Sequence, residues 1–375
     1  MKILFAGGGT GGHFYPIIAV ADALNLIADQ EKIAKIDLVM MSESPYDRTI
    51  LSQRGIRFKK TSSGKLRRYF SLLNITDGFK TIYGIIKALW SIYLDFPDVI
   101  FSKGGYSSFP VVFAARFLGI PLVIHESDIV PGKVNLWASK FAQKIAVSFP
   151  ETIKYFPSEK TALTGNPARK QFFLPAKVGA KEFLNLEDGV PIIFVIGGSQ
   201  GAKIINDNIL DIVPELVKKY QIIHQCGKNN LKEAEGRVSL QFENSQYKTR
   251  YHLFPYLDLS AIRMAFGAAD LVISRAGSGS IFEIAASGLP SILIPLDNSA
   301  QDHQRKNAYS YATTGAADVI EQRNLSPHLL QSEVYRLLND KKILEKMAAA
   351  AKKFAKPDAA EKIAREIIAL ALEHA

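Results

Sequence analysis

The amino-acid sequence predicts an α/β protein of two Rossmann-like, parallel-sheet domains facing a cleft. Three observations carry this. Short apolar runs alternate with longer amphipathic stretches, as expected of parallel strands joined by right-handed helical crossovers. The pattern restarts near residue 191, and each half opens with a strand, a glycine-rich turn and a helix.

Taken in order, Lys2–Ala6, Ile36–Met41, Val99–Phe101, Pro121–Ile124 and Lys144–Val147 read as buried strands of the first half. The second half supplies Pro191–Ile196, Gln221–His224, Leu271–Ser274, Ser291–Ile294 and Ala317–Ile320. Between Phe149 and Asp188, Pro150, Pro157, Pro167 and Pro175 punctuate a charged stretch. The break therefore falls there, giving a first domain over 1–164 and a second over 165–356. Helical patterns over Ser326–Asn339 and Lys341–Ala355 are followed by Lys356-Pro357-Asp358 and a last helix, Ala359–Glu373. The segment 357–375 is expected to pack back on the first domain.

Composition narrows the function. At 375 residues the chain is comfortable as two domains, and 47% hydrophobic with 22% charged residues describes globular material. Lysine and arginine total 46 against 36 aspartate and glutamate, and the net charge of +10 favours anionic partners. Cys226 is the only cysteine, which excludes an intrachain disulfide and fits a reducing compartment. Four apolar residues before the first glycines are too few for a signal peptide. The longest uncharged stretch, Ile3–Ala21, holds five glycines, His13 and Pro16, so it does not read as a membrane span. Any membrane contact is then peripheral.

The first chemical motif is Gly7-Gly8-Gly9-Thr10-Gly11-Gly12-His13, directly after the first strand. Glycine lets the backbone turn tightly and approach a ligand, and the following helix start offers amides and a positive dipole end to an anion. Gly7, Gly9 and Gly12 also fit a dinucleotide fingerprint, which keeps a nicotinamide or flavin enzyme open. The acidic residue such a site needs comes late, at Glu43. His13 suits proton transfer near neutral pH, or alternatively caps the turn.

A second turn, Gly197-Gly198-Ser199-Gln200-Gly201-Ala202, opens the other half, where Ser199 offers a hydroxyl to a phosphate beside backbone amides. Ser278, Gly279 and Ser280 open a further helix, with Glu283 expected on its first turn to accept bonds from ribose hydroxyls or to cap the helix. Gln304 and Asn307 are three apart and share one helix face, where two amides suit sugar hydroxyls or plain solvent. On the first sheet's edge, Tyr106 follows Gly104-Gly105, and His125-Glu126-Ser127-Asp128 follows its own strand. Glu126 is a second base or the orienter of one. Arg169 sits at the domain break, within reach of a diphosphate. No Asp-x-Asp pair and no Cys/His cluster occurs, so no metal site or other cofactor is expected, and the diphosphate is met by amides, dipoles and Arg169.

Between Lys59 and Asp95, seven basic residues are interleaved with aromatics. Phe79, Ile82, Tyr83, Ile86 and Trp90 form one helical stripe, expected to be core. The preceding basic and apolar stretch reads as a patch for an anionic lipid surface: Lys65, Arg67, Arg68, Leu72, Leu73 and Ile75, with Phe79. Single-stranded nucleic acid suits the same composition, but no nucleic-acid module accompanies it.

These motifs, in this order, resemble the MurG family of bacterial peptidoglycan N-acetylglucosaminyltransferases. The resemblance rests on GGGTGGH at 7–13, GGYSS at 104–108, HESD at 125–128, GNPAR at 165–169, GGSQGA at 197–202, SRAGSGSIFE at 274–283 and DHQRKNA at 302–308. It implies the glycosyltransferase B fold, with an acceptor- and membrane-facing first domain and a UDP-sugar-binding second one. It also implies inverting transfer of N-acetylglucosamine from UDP-N-acetylglucosamine to undecaprenyl-diphosphoryl-muramoylpentapeptide, at the cytoplasmic face of the cell membrane. Carried over residue by residue, Thr10, Gly11 and Gly12 face the donor sugar and diphosphate, His13 is needed for activity, and Arg169 and Ser199 touch the diphosphate. Leu257 contacts uracil, Glu283 the ribose and Gln304 a sugar hydroxyl, while Tyr106 and Asp128 touch acceptor or donor. Several members of the family read HEQN where this chain reads HESD, so Asp128 stands where an asparagine is assigned to the site. Other readings of the motifs are a UDP-sugar epimerase or hydrolase, a glycosyltransferase for another lipid or sugar, and a nucleotide-binding membrane scaffold.

Overall fold

A computed structural model of the chain describes residues 1–33, 36–64, 73–174, 176–198 and 201–374, with backbone only at 73–75. The chain forms two compact units. Unit 1 comprises Met1–Arg169 with Lys356–Ala375, and unit 2 comprises Lys170–Ala355.

Unit 1 is built on seven parallel strands: β1 (Lys2–Ala6), β2 (Asp37–Ser42), β3 (Arg57–Lys60), β4 (Val99–Ser102), β5 (Leu122–Glu126), β6 (Lys144–Val147) and β7 (Thr161–Leu163). Their order across the sheet is β3-β2-β1-β4-β5-β6-β7. Alternate residues of β1 feed two cores: Ile3 and Phe5 join one face, Leu4 and Ala6 the other. Burial on both faces is why the inner strands read as continuous apolar runs. The closing helix, Ala359–His374, lies on the first of these faces and contributes Ile363, Ile367 and Ala371 to the core around Ile17 and Leu24.

In unit 2 the strands β8 (Ile192–Ile196), β9 (Gln221–Gln225), β10 (Tyr251–Phe254), β11 (Leu271–Ser274), β12 (Ser291–Leu293) and β13 (Ala317–Val319) pair in parallel, in the order β10-β9-β8-β11-β12-β13. Strand order reverses between β1 and β4 in one sheet and between β8 and β11 in the other. At such a switch point the crossovers leave in opposite directions and open a crevice at the strands' carboxyl ends.

Three strands depart from the sequence reading, which left β3, β7 and β10 out. All three are sheet edges. An edge strand need not be apolar on every side and is often charged to discourage further pairing; β3 reads Arg-Phe-Lys-Lys.

The aromatic stripe is also corrected. On the helix Leu73–Asp95, Phe79 is 70% exposed and Trp90 66%, and Ile82, Tyr83 and Ile86 are likewise exposed. The helix packs inward through its opposite face instead. Ala88 and Ile92 are buried, and a Cβ on Gly84 would stand 1.7 Å from the Ser62 carbonyl oxygen. Periodicity identifies a shared face but not which face is covered, and close backbone approach favours the small side.

Candidate functional site

The switch point of the first sheet gathers several of the motifs. Beyond β1, Gly7, Gly8 and Gly9 take φ of +128°, +132° and +82°, which L side chains rarely adopt. A Cβ on Gly8 would also lie 2.8 Å from Met40 Cε. The turn delivers the chain into the helix Gly11–Glu31, whose cap, Thr10, makes no side-chain cap bond. Thr10 and Gly12 are exposed, and no acidic residue occupies the first turn. The result is an open helix N-terminus suited to an anion.

His13 sits on this first turn, half-buried, with its amide donating to Thr10 O. The ring rests on Gly105: a Cβ there would come within 3.0 Å of His13 Cε1. Gly104 and Gly105, at φ +74° and +78°, follow β4. Tyr106 Oη reaches Glu43 Oε2 at 3.5 Å, and burial with this carboxylate raises the phenol's pKa.

Glu126 ends β5 and is 5% exposed. Its Oε1 accepts from Asp128 N at 3.0 Å; its Oε2 accepts from Gly132 N at 3.0 Å and Asn135 Nδ2 at 2.9 Å. Burial, with Asp128 nearby, raises its pKa above the ordinary carboxylate range. These three internal donors tie Glu126 to the loop that follows β5 and to the helix Lys133–Ala138, a structural attachment that neither expected role, base or orienter of one, describes. Asp128 is half-buried on that loop. The guanidinium of Arg169 lies over the Tyr15 ring, 4.1 Å from its centroid, holding it beside the start of the same helix.

Sequence reasoning missed Lys103, Asn135 and Asn166 here. Lys103 lies between β4 and the glycine pair, and its Nζ contacts His125, Ser127 and Asn166. A lysine directly after a buried strand and before a double glycine was the available signal.

In unit 2, Gly198 (φ +86°) follows β8, and Gln225 on β9 ties this turn to residue 257: its Nε2 donates to Gly198 O at 3.2 Å and its Oε1 accepts from Leu257 N at 2.9 Å. Leu257 itself is buried. Ser199 lies outside the described residues. Gly201 has φ +75°, and a Cβ would stand 1.9 Å from Cys226 O. Gly201→Ala should therefore destabilise the fold by about 3 kcal/mol or more through backbone strain and overpacking, read as a lowered midpoint in denaturant unfolding.

After β11, the helix Ser278–Ser287 begins at the expected small residues, with Ser278 buried and Gly279 and Ser280 half-buried. Glu283 falls on its second turn rather than its first, because the helix starts only at Ser278. A carboxylate that far along is not an N-cap. Past β12, Asn298, Gln301 and Asp302 all take left-handed backbone conformations (φ 56–58°), marking a strained loop. Gln304 is half-buried, its Oε1 accepting from Leu296 N at 3.0 Å, whereas Asn307 is fully buried. The two share a helix, yet only Gln304 lies near the surface, since Asn307 turns towards the core side.

The patch residues Lys65, Arg67, Arg68 and Leu72 lie outside the described residues, as do the side chains of Leu73 and Ile75. Among the described residues no helix is long and apolar enough to cross a membrane, and no group of three His, Cys, Asp or Glu is placed to hold a metal ion.

Comparison with known proteins identifies the family. The profile of the glycosyltransferase family 28 N-terminal domain matches residues 3–147, and that of its C-terminal domain matches 192–363. The UDP-N-acetylglucosamine--N-acetylmuramyl-(pentapeptide) pyrophosphoryl-undecaprenol N-acetylglucosamine transferase of Clostridium kluyveri is 37% identical over 354 residues, covering 93% of this chain and 95% of the relative. A Bacillus cereus protein of the same name, numbered 2, is 38% identical and covers 98% of this chain and 99% of its own. The crystal structure of Acinetobacter baumannii MurG superposes with a TM-score of 0.72 at 25% identity, covering 98% of this chain and 99% of that one. The chain belongs to glycosyltransferase family 28, in the MurG group of glycosyltransferase B fold N-acetylglucosamine transferases.

Proposed function

We propose that this chain transfers N-acetylglucosamine from UDP-N-acetylglucosamine to the undecaprenyl-diphosphoryl-muramoylpentapeptide acceptor, making the disaccharide lipid precursor of peptidoglycan. The carrying observation is 37% identity over 93% of the chain to a transferase named for that reaction. The strand-end glycine turns at both switch points support it.

Unit 2 holds the donor. Gly197, Gly198 and the Ser278 helix start offer backbone N–H groups to the diphosphate, Glu283 takes the ribose hydroxyls, Gln304 a sugar hydroxyl, and the residue 257 backbone borders the uracil. Unit 1 holds the acceptor, and His13 removes the proton from its 4-hydroxyl as UDP leaves with inversion at the anomeric carbon. Amides, helix dipoles and Arg169 meet the charge developing on the diphosphate. Radiolabelled UDP-N-acetylglucosamine and a lipid-linked muramoylpentapeptide should give labelled lipid product at a rate unaffected by EDTA. Absence of that product would sink the reading.

The acceptor's lipid places the enzyme at a membrane, on its cytoplasmic, anionic face. The exposed face of the Leu73–Asp95 helix is the docking element: Phe79, Ile82, Tyr83, Ile86, Trp90 and Tyr93 project outward, with Lys87 exposed among them. Burying one such side chain contributes about 1.5–3 kcal/mol. Trp90→Ser should accordingly weaken binding to vesicles containing anionic phospholipid by about tenfold or more, measured by co-sedimentation, with the protein's melting temperature little changed because the ring is already in solvent.

A further inference from the structure

Lys103 is 2% exposed, and no other lysine or arginine among the described residues is buried to this degree. Its Nζ stands 2.5 Å from His125 Nδ1, 2.5 Å from Ser127 Oγ and 3.2 Å from Asn166 Oδ1. An ammonium has three N–H donors, so these three acceptors saturate it. The partner imidazole fits this role. His125 Nε2 lies 3.0 Å from Gly165 O, a group that only accepts, so the ring's proton is on Nε2 and the Nδ1 lone pair faces the lysine. Burial and the Lys103 charge push the His125 pKa well down, keeping the ring neutral. Burial also lowers the Lys103 amine to about 7, with Glu126 and Asp128 pulling the other way.

The three elements joined are the exits of β4, β5 and β7. The main chain continues the linkage: Lys103 N donates to Ala6 O at the end of β1. At Gly104 a Cβ would lie 2.6 Å from the Asn135 amide, which itself donates to His125 O and Glu126 Oε2. Gly105 is the floor beneath the His13 ring. We infer that Lys103 is a positioning residue for transfer: it clamps the three strand ends so that Gly104-Gly105 sets His13 in register with the acceptor hydroxyl. This rests on the reading of His13 as the base.

The test uses the full chain and steady-state transfer. Lys103→Met keeps the side chain's length and removes its donors. Because misplacement of a reacting group by about 1 Å can cost about a hundredfold, kcat should fall by about 10- to 100-fold, with KM for UDP-N-acetylglucosamine within about twofold of the parent. Combined with His13→Ala, the substitution should cost nothing further, since the group it positions is gone. Should Lys103→Met fail to fold, Ser127→Ala removes one acceptor at little volume cost and should lower kcat about threefold or more, again without effect in the His13→Ala background. Unchanged kcat in the folded variant, or losses that multiply in the double variant, overturn the inference while leaving the base reading intact. Full turnover by His13→Ala alone removes the base reading, and this inference with it.

Discussion

Replacing His13 with alanine should lower turnover by at least about a hundredfold, the lower range of general-base assistance, while UDP-N-acetylglucosamine still binds with near-parental affinity. The expectation follows from where the ring sits. His13 lies on the first turn of the Gly11–Glu31 helix, beyond a glycine turn that only positive φ permits, and rests on Gly105. Its loss removes the imidazole without opening the core, because the ring is only half-buried. Single-turnover transfer alongside calorimetric titration of UDP-N-acetylglucosamine separates the two effects. Unaltered turnover would take His13 out of the chemistry, and lost donor binding would make it a ligand contact instead.

Glu126→Ala should act on the fold. The carboxylate accepts from Asp128 N and Gly132 N in the loop after β5 and from Asn135 Nδ2 on the helix Lys133–Ala138. Removing it strands three buried or part-buried donors, each costing about 1–3 kcal/mol, so a loss of about 3–5 kcal/mol is expected in denaturant unfolding. Glu126→Gln should lose less, because one amide oxygen still accepts from the Gly132 and Asn135 pair.

The pH dependence has a definite sign. Burial raises the folded pKa of Glu126 above the ordinary carboxylate range. Between that range and the raised value, the folded chain holds a proton that the unfolded chain has released. This group's contribution to stability is therefore largest on the acid side and declines as pH rises through the window. Melts of Glu126→Gln across that window should show a shallower decline than the parent, and equal slopes would refute the assignment.

Much of this was legible in the sequence because two signals are local. A buried parallel strand is a short apolar run whatever its neighbours, and β1, β6 and β11 have the predicted ends. A glycine turn between strand and helix also declares itself, since few other residues reach the required φ. The edge strands β3, β7 and β10 were not legible, because pairing on one side leaves the other free to be charged. Lys103 escaped notice for a related reason: a single lysine reads as surface until its three acceptors, 22 to 63 positions away, are known.

By itself, then, the sequence determined the two-sheet α/β class, the order of the glycine turns and the family to which they belong. Tertiary structure alone decided that the Glu126 carboxylate is bonded to the segment that follows it, that Asn307 is buried while Gln304 is near the surface, and that the aromatic side of the Leu73–Asp95 helix faces out. The physical reason is common to all three. Periodicity and residue type say which side chains share a face or carry chemistry, but only packed neighbours determine which face meets water and which lone pairs are already taken.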